Sequence, residues 1–177
     1  MMNERMDSRK DKTPRSFIIR SYTKDDDKDI FAINLRSWDG DITTHELLEN
    51  RHGRFHGRPW NEHIAQAVSA HILEEGVETF VAEQNGRVIG FALAQIECDK
   101  PDVGIVSYNA VDPDCRGQGI GTALVKQVIS CLKEQGVRIL VVWTLEAGKP
   151  ARKVYEHMGF KELTRFVYYS LDCQVVK

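Results

Sequence analysis

The sequence predicts a mixed α/β domain built around one sheet. Three observations carry that reading. An Asn-Gly pair, Asn85-Gly86, sits between two apolar runs and fits a type I′ hairpin turn. Two helical periods precede that hairpin, and helix and strand patterns alternate after it. The resulting order is βααβββαβαβ.

Each element has its own signal. "FIIRSY", about Phe17 to Tyr22, is a short apolar strand. Thr23 reads as an N-cap, with Asp25 and Asp26 in the first turn where the helix dipole favours negative charge. The helix that follows places Phe31, Leu35 and Trp38 on one face and ends at Gly40. Residues 41–59 read as irregular and polar. Trp60, Ile64, Val68 and Ile72 then mark a second amphipathic helix, closed by Gly76. "ETFVAEQ" and "RVIGFALAQIE" form the hairpin, and "VGIVSYNAV", Val103 to Val111, continues the sheet.

The next helix runs from about Gly119 to Gln135, with Ile120, Leu124, Val128 and Leu132 on its buried face and Gly136 as its stop. "VRILVVWTL" is apolar throughout, as a strand covered on both faces would be, which predicts a central position. Pro150 opens a further helix that Gly159 ends, and "ELTRFVYYSL" supplies the last strand.

Composition excludes several classes of function. With 177 residues, 42% apolar and 28% charged, the chain fits one domain with a real core, assigned to residues 16–177. A net charge of −2 gives no pull toward nucleic acid or an anionic membrane. No apolar run approaches the roughly 18 residues of a membrane helix. Residues 1–15 carry both signs of charge and no apolar stretch, so they read as a mobile tail rather than a signal peptide or a basic arm. Four scattered cysteines without a Cys-x-x-Cys pair suit reduced thiols in a cytoplasm.

The chemistry lies in "VDPDCRGQGIGTALV", Val111 to Val125. A strand, a glycine-rich turn and a helix N-terminus together make an anion site, because unpaired N–H groups and the helix dipole face the ligand. A dinucleotide loop needs glycine where Thr122 stands, and a Walker A loop needs a lysine that is absent. What remains is Arg116-Gly117-Gln118-Gly119-Ile120-Gly121, which fits [RQ]-x-x-G-x-[GA]. Together with "YNAVDPDC" before it and "PARKVYEHMGF" after it, this loop resembles the acyl-CoA loop of the GNAT superfamily of N-acetyltransferases. The resemblance covers roughly Ser16 to Asp172 and is firm from Thr79 onward.

That resemblance implies a mixed, mostly antiparallel sheet flanked by helices, acetyl-CoA as co-substrate, and an amine acceptor, small molecule or peptide, attacking directly in a ternary complex. It implies that main-chain N–H groups of Gly117, Gln118, Gly119, Ile120, Gly121 and Thr122 hold the pyrophosphate behind Arg116. It further implies that Asn109, Ala110 and Val111 pair with pantetheine where the strand splays from its neighbour, and that Tyr155 protonates the leaving thiolate. The family's habit also allows a homodimer. Two positions depart from the pattern. Gly148 stands where many members bond pantetheine with asparagine, and Trp143 stands where some protein-acetylating members place a glutamate base. Glu97 and Glu146 are then the candidate bases by topology, with Glu97 ahead.

Five of six histidines fall between His45 and His71. His52 and His56 have the spacing of a helical metal pair, but "RHGRFHG" lacks the glutamate of H-E-x-x-H, so no metal is expected. Arg51, Arg54, Phe55, Arg58 and Trp60 in the same stretch suit acceptor contacts. A non-catalytic acyl-CoA-binding module is the competing reading.

Overall fold

The computed structural model describes residues 16–38, 43–55 and 57–174. The tail at 1–15, the helix stop at Gly40 and the metal-spaced His56 lie outside the described residues. Strands β1 (Ile18–Ser21), β2 (Val77–Gln84), β3 (Arg87–Glu97), β4 (Lys100–Val111) and β5 (Ile139–Val141) form one sheet in the order β1-β2-β3-β4-β5. The first four pair antiparallel and β5 pairs parallel to β4. Helices α1 (Asp27–Ser37), α2 (Thr44–His52), α3 (Trp60–Ile72), α4 (Ile120–Glu134) and α5 (Lys149–His157) flank it.

The hairpin forms as its turn residues require: Asn85 and Gly86 both have positive φ, 53° and 73°, and Gln84 pairs with Arg87. Side-chain alternation along the strands splits the core in two. Phe80, Ala82, Ala92 and Val106 pack on the Ile120, Leu124, Val128 and Leu132 stripe of α4. Val81, Phe91, Leu93 and Ala110 pack on Ile30, Ile33, Ile64 and Val68 from α1 and α3. At the entry to α1, Arg20 grips the Asp26 carboxylate with two bonds of 2.7 and 2.8 Å while its Nε donates to Glu83 at 2.7 Å. Those bonds hold the Asp26 carboxyl below the usual carboxylate range.

Four expectations are corrected. Residues 44–52 are helix α2, not irregular chain: Thr43 caps it by accepting the Glu46 N–H at 3.1 Å, a Thr-x-x-Glu signature present in the sequence. The buried stripe of α1 is Ile30, Ile33, Asn34 and Ser37, because two polar residues share that face. Asn34 donates to the Ile30 carbonyl at 3.0 Å and Ser37 to the Val111 carbonyl at 3.3 Å, which makes them admissible there. β5 is an edge strand three residues long, not a central one. Residues 161–171 form no ladder, so the expected last strand is absent among the described residues.

Candidate active site

The loop after β4 is built around Asp112. Its buried carboxylate accepts the Asp114 N–H at 3.1 Å, starting a 3₁₀ turn at Pro113–Cys115, and takes Arg87 at 2.9 Å and Arg36 at 3.3 Å. The Arg116 guanidinium turns back onto the carbonyls of Val111 and Ser37, tying the loop to the C-terminus of α1, where a cation suits the dipole. Gly117 and Gly119 follow with φ of 77° and 81°, a conformation that side-chained residues rarely adopt. An added Cβ at either would meet no atom within 4 Å, so backbone conformation, not crowding, requires glycine there.

The first hydrogen bond of α4 runs from Ala123 N–H to Gly119 O at 3.0 Å. The six N–H groups from Gly117 to Thr122 donate no hydrogen bond among the described residues. They form a cradle of donors on the positive end of a fifteen-residue helix.

Beside this cradle the sheet opens. β4 skips one residue against β3, at Ser107, where the register passes from Leu93↔Tyr108 to Ala94↔Val106. β5 pairs only with Val103, Gly104 and Ile105, below that bulge. From Val106 to Val111 the outer edge of β4 therefore has no strand beside it among the described residues. A cavity of about 340 Å³ occupies the opening. Of the expected residues, Asn109, Ala110, Val111, Arg116, Gly117, Gly119, Ile120, Gly121 and Thr122 line it, while Gln118 does not. Its remaining walls escaped the sequence reading: Ser37 and Trp38 from the end of α1, Cys115 from the turn after β4, and Pro150, Ala151 and Val154 from one face of α5. The i, i+1, i+4 spacing of the three α5 residues was a visible signal for that face.

Tyr155 stands behind the α5 wall. Its ring meets Phe160 edge-on at 5.8 Å, and the Asn109 side chain lies near its hydroxyl. Burial, opposed by the polar Asn109 side chain, pushes the phenol up to about 12. Asn109 lines the cavity, so Tyr155 lies one side chain from it, with its phenol protonated.

The structure does not bring Glu97 to this place. Glu97 pairs with Lys100 at the far end of the β3–β4 hairpin, at 2.6 Å. From Lys100 to Asn109 is nine residues of strand, about 30 Å. Glu146 is held by Arg165 at 2.6 Å, and Trp143 is 62% exposed. Gly148 is where an asparagine cannot fit without movement: an added Cβ would lie 2.6 Å from Thr144 Oγ1 and 3.2 Å from the Leu145 carbonyl.

The histidine segment folds into α2 and α3. His52 Nε2 meets Ser170 Oγ at 3.0 Å and His63 Nε2 meets the Phe55 carbonyl at 2.9 Å. Burial and the nearby His63 hold His45 below the usual imidazole range. Glu49 accepts the Trp60 N–H at 2.6 Å, which caps α3, and Arg58 is exposed on the turn before it.

The family model described as "Acetyltransferase (GNAT) family" matches residues 41–160. An uncharacterised N-acetyltransferase of Methanocaldococcus jannaschii is 29% identical over 152 residues, 84% of this chain but only 62% of that relative's length. The [ribosomal protein bS18]-alanine N-acetyltransferase of Escherichia coli is 33% identical over 111 residues, covering 63% of this chain and 70% of the relative. A crystal structure of the ribosomal-protein-S18-alanine N-acetyltransferase from Escherichia coli superposes with a TM-score of 0.62 at 28% identity, over 84% of this chain and 80% of that one. The aminoglycoside N-acetyltransferase AAC(6')-Iy, solved in complex with CoA, shares the fold with a TM-score of 0.64 at 23% identity, over 89% and 96% of the two chains. With the glycine cradle, the bulged β4 and the family match across 41–160, the chain belongs to the acetyltransferase (GNAT) family.

Proposed function

We propose that the protein transfers an acetyl group from acetyl-CoA to a primary amine by direct attack within a ternary complex. The observation that carries this reading is a run of main-chain N–H groups, without acceptors among the described residues, beside an unpaired strand edge at one opening. The cradle from Gly117 to Thr122 binds the pyrophosphate. The free edge of β4 at Asn109, Ala110 and Val111 pairs with the amides of the pantetheine arm as an added strand would. The donor supplies a thioester whose carbonyl carbon accepts the amine nitrogen while its C–S bond breaks.

The chain's own residues then handle charge. A β4 N–H polarises the thioester carbonyl, and the Tyr155 hydroxyl reaches the departing sulfur past Asn109. The phenol at about 12 is a weaker acid than a thiol, which titrates near 8.5, so its main effect is a hydrogen bond that stabilises the departing thiolate. With Glu97 about 30 Å away along β4, the ammonium proton leaves through water at the open mouth of the slot. Relatives named for a ribosomal-protein alanine and for aminoglycosides support an amine acceptor.

The test is release of free thiol from acetyl-CoA with a panel of primary amines. Amine-dependent release is expected. Tight coenzyme A binding without release for any amine would favour the binding-module reading, which the distance of Glu97 and the Gly148 replacement support.

A further inference from the structure

Transfer to an amine needs a destination for the proton of the acceptor ammonium. The C-terminal end of α3 holds a group suited to take it. His71 Nδ1 meets Glu74 Oε2 at 2.9 Å. A carboxylate only accepts, so Nδ1 carries the ring hydrogen and Nε2 of the neutral ring bears a bare lone pair. That Nε2 is buried and has no hydrogen-bond partner among the described residues. Buried polar atoms are nearly always paired, so an unmatched lone pair on an imidazole held by a carboxylate calls for a use.

The ring stands beside the end of the slot where the chemistry falls. Its neighbour is Tyr108, met edge-on at 5.8 Å. Tyr108 is the first residue past the skip at Ser107, at the lower end of the unpaired run of β4. The cradle lies beyond the upper end of that run, at Val111. A donor anchored there by its pyrophosphate lays its thioester toward Tyr108, about 10 Å down the strand. Burial and the Glu74 charge hold the Tyr108 phenol above its usual range, so it stays protonated between turnovers. Other carboxylates of the surrounding elements are bound elsewhere. Asp27 accepts from the Tyr22 hydroxyl, Asp29 from the Val88 N–H at 3.1 Å, Glu49 from the Trp60 N–H at 2.6 Å and Glu78 from Gln135 at 2.8 Å. Glu75 is exposed.

We infer that His71, oriented by Glu74, is the final acceptor of the ammonium proton, and that the Tyr108 hydroxyl conducts it there from the mouth of the slot. This rests on the transfer reading above. The ammonium gives one N–H proton to water, the water gives one to the Tyr108 oxygen, and the phenol's own proton moves to Nε2. The two rings meet here without a hydrogen bond, and the phenol turns to Nε2 when substrate is bound. The freed nitrogen lone pair forms the N–C bond, the C–S bond breaks, and the nitrogen's next proton balances the departing thiolate. The imidazolium then releases its proton to solvent beside Glu74, which is 60% exposed.

The test is the pH profile of kcat/KM for one primary amine, measured on the wild type and three variants. His71→Gln is expected to lower kcat/KM about 10²-fold and to abolish one ascending protonation step, with the Kd for acetyl-CoA and circular dichroism unchanged. Tyr108→Phe keeps the ring contact and is expected to lose at least about tenfold. Glu74→Gln lies on the exposed side and does not threaten the fold. It removes the charge that favours the imidazolium, so the same step should move to lower pH. An unmoved step in Glu74→Gln overturns the inference even where His71→Gln misfolds. So does a folded His71→Gln that keeps the step, or a fully active Tyr108→Phe, and each leaves the transfer reading standing. A wild type that binds coenzyme A and releases no thiol with any amine rejects the transfer reading itself, and this inference with it.

Discussion

The Tyr155 phenol, set beside the Asn109 side chain, stays protonated because burial pushes it up to about 12. Tyr155→Phe removes one oxygen and preserves the ring contact with Phe160. On the proposed role of a hydrogen-bond donor to the departing sulfur, we expect kcat to fall about 10²–10³-fold while the Kd for acetyl-CoA holds. A loss under about threefold in a folded variant would leave the tyrosine a packing role. The raised phenol also fixes a pH effect. Its protonated form persists below about 12, so Tyr155 should impose no descending limb on kcat in the ordinary working range. Gly119→Val tests the cradle. No atom lies within 4 Å of an added Cβ, so the penalty comes from a φ of 81° and from bulk over the phosphate site. Coenzyme A affinity should drop at least about tenfold by calorimetry, with native circular dichroism. At this scale the sequence was most legible. Glycines at positive φ announce themselves, and nine of the ten expected cradle and strand residues line one cavity. Glu97 was not legible, because proximity to the end of a strand does not tell which end of the hairpin faces the slot.

At the scale of elements, α4 and the Asn-Gly hairpin were readable because each pattern is local and continuous. α2 was hidden by its polarity: none of its residues is buried, so no apolar stripe marks it, and only the Thr43 cap gave it away. The β4 bulge was invisible in sequence, since Ser107 looks like any strand residue until β3 is laid beside it. β5 was misplaced for a related reason. Its composition reports what covers it, while its position depends on the neighbour that is or is not supplied. The α2–α3 turn lends itself to a direct experiment. Arg58 is exposed there and belongs to no ion pair among the described residues. Arg58→Ala should therefore leave stability within about 0.5 kcal/mol while raising acceptor KM by several-fold and sparing the KM for acetyl-CoA. A change confined to the acetyl-CoA KM would remove this turn from the acceptor side.

Across the whole molecule, two apolar cores on opposite faces of the sheet hold the strands, and each gives a buried residue, Ile120 and Ala110, to the wall of the opening beside β4. Ligand binding to such a folded opening adds to stability by mass action. At a hundred times its Kd, coenzyme A should stabilise the fold by about 2.7 kcal/mol, read as a rise in Tm. NADH and ATP should give no comparable rise, because the loop lacks the third glycine of a dinucleotide site and the lysine of a Walker loop. Equal stabilisation by NADH would reject the donor assignment.

The parting of β4 from β5 above Ser107 carries a consequence for the protein's life in a cell. On the proposed function, the seam there is stitched by a metabolite instead of by peptide. A sheet finished in that way is mended and unpicked with every turnover. Its resistance to proteases then follows the supply of coenzyme A, so that starvation for the donor shortens the survival of the protein as well as slowing its chemistry.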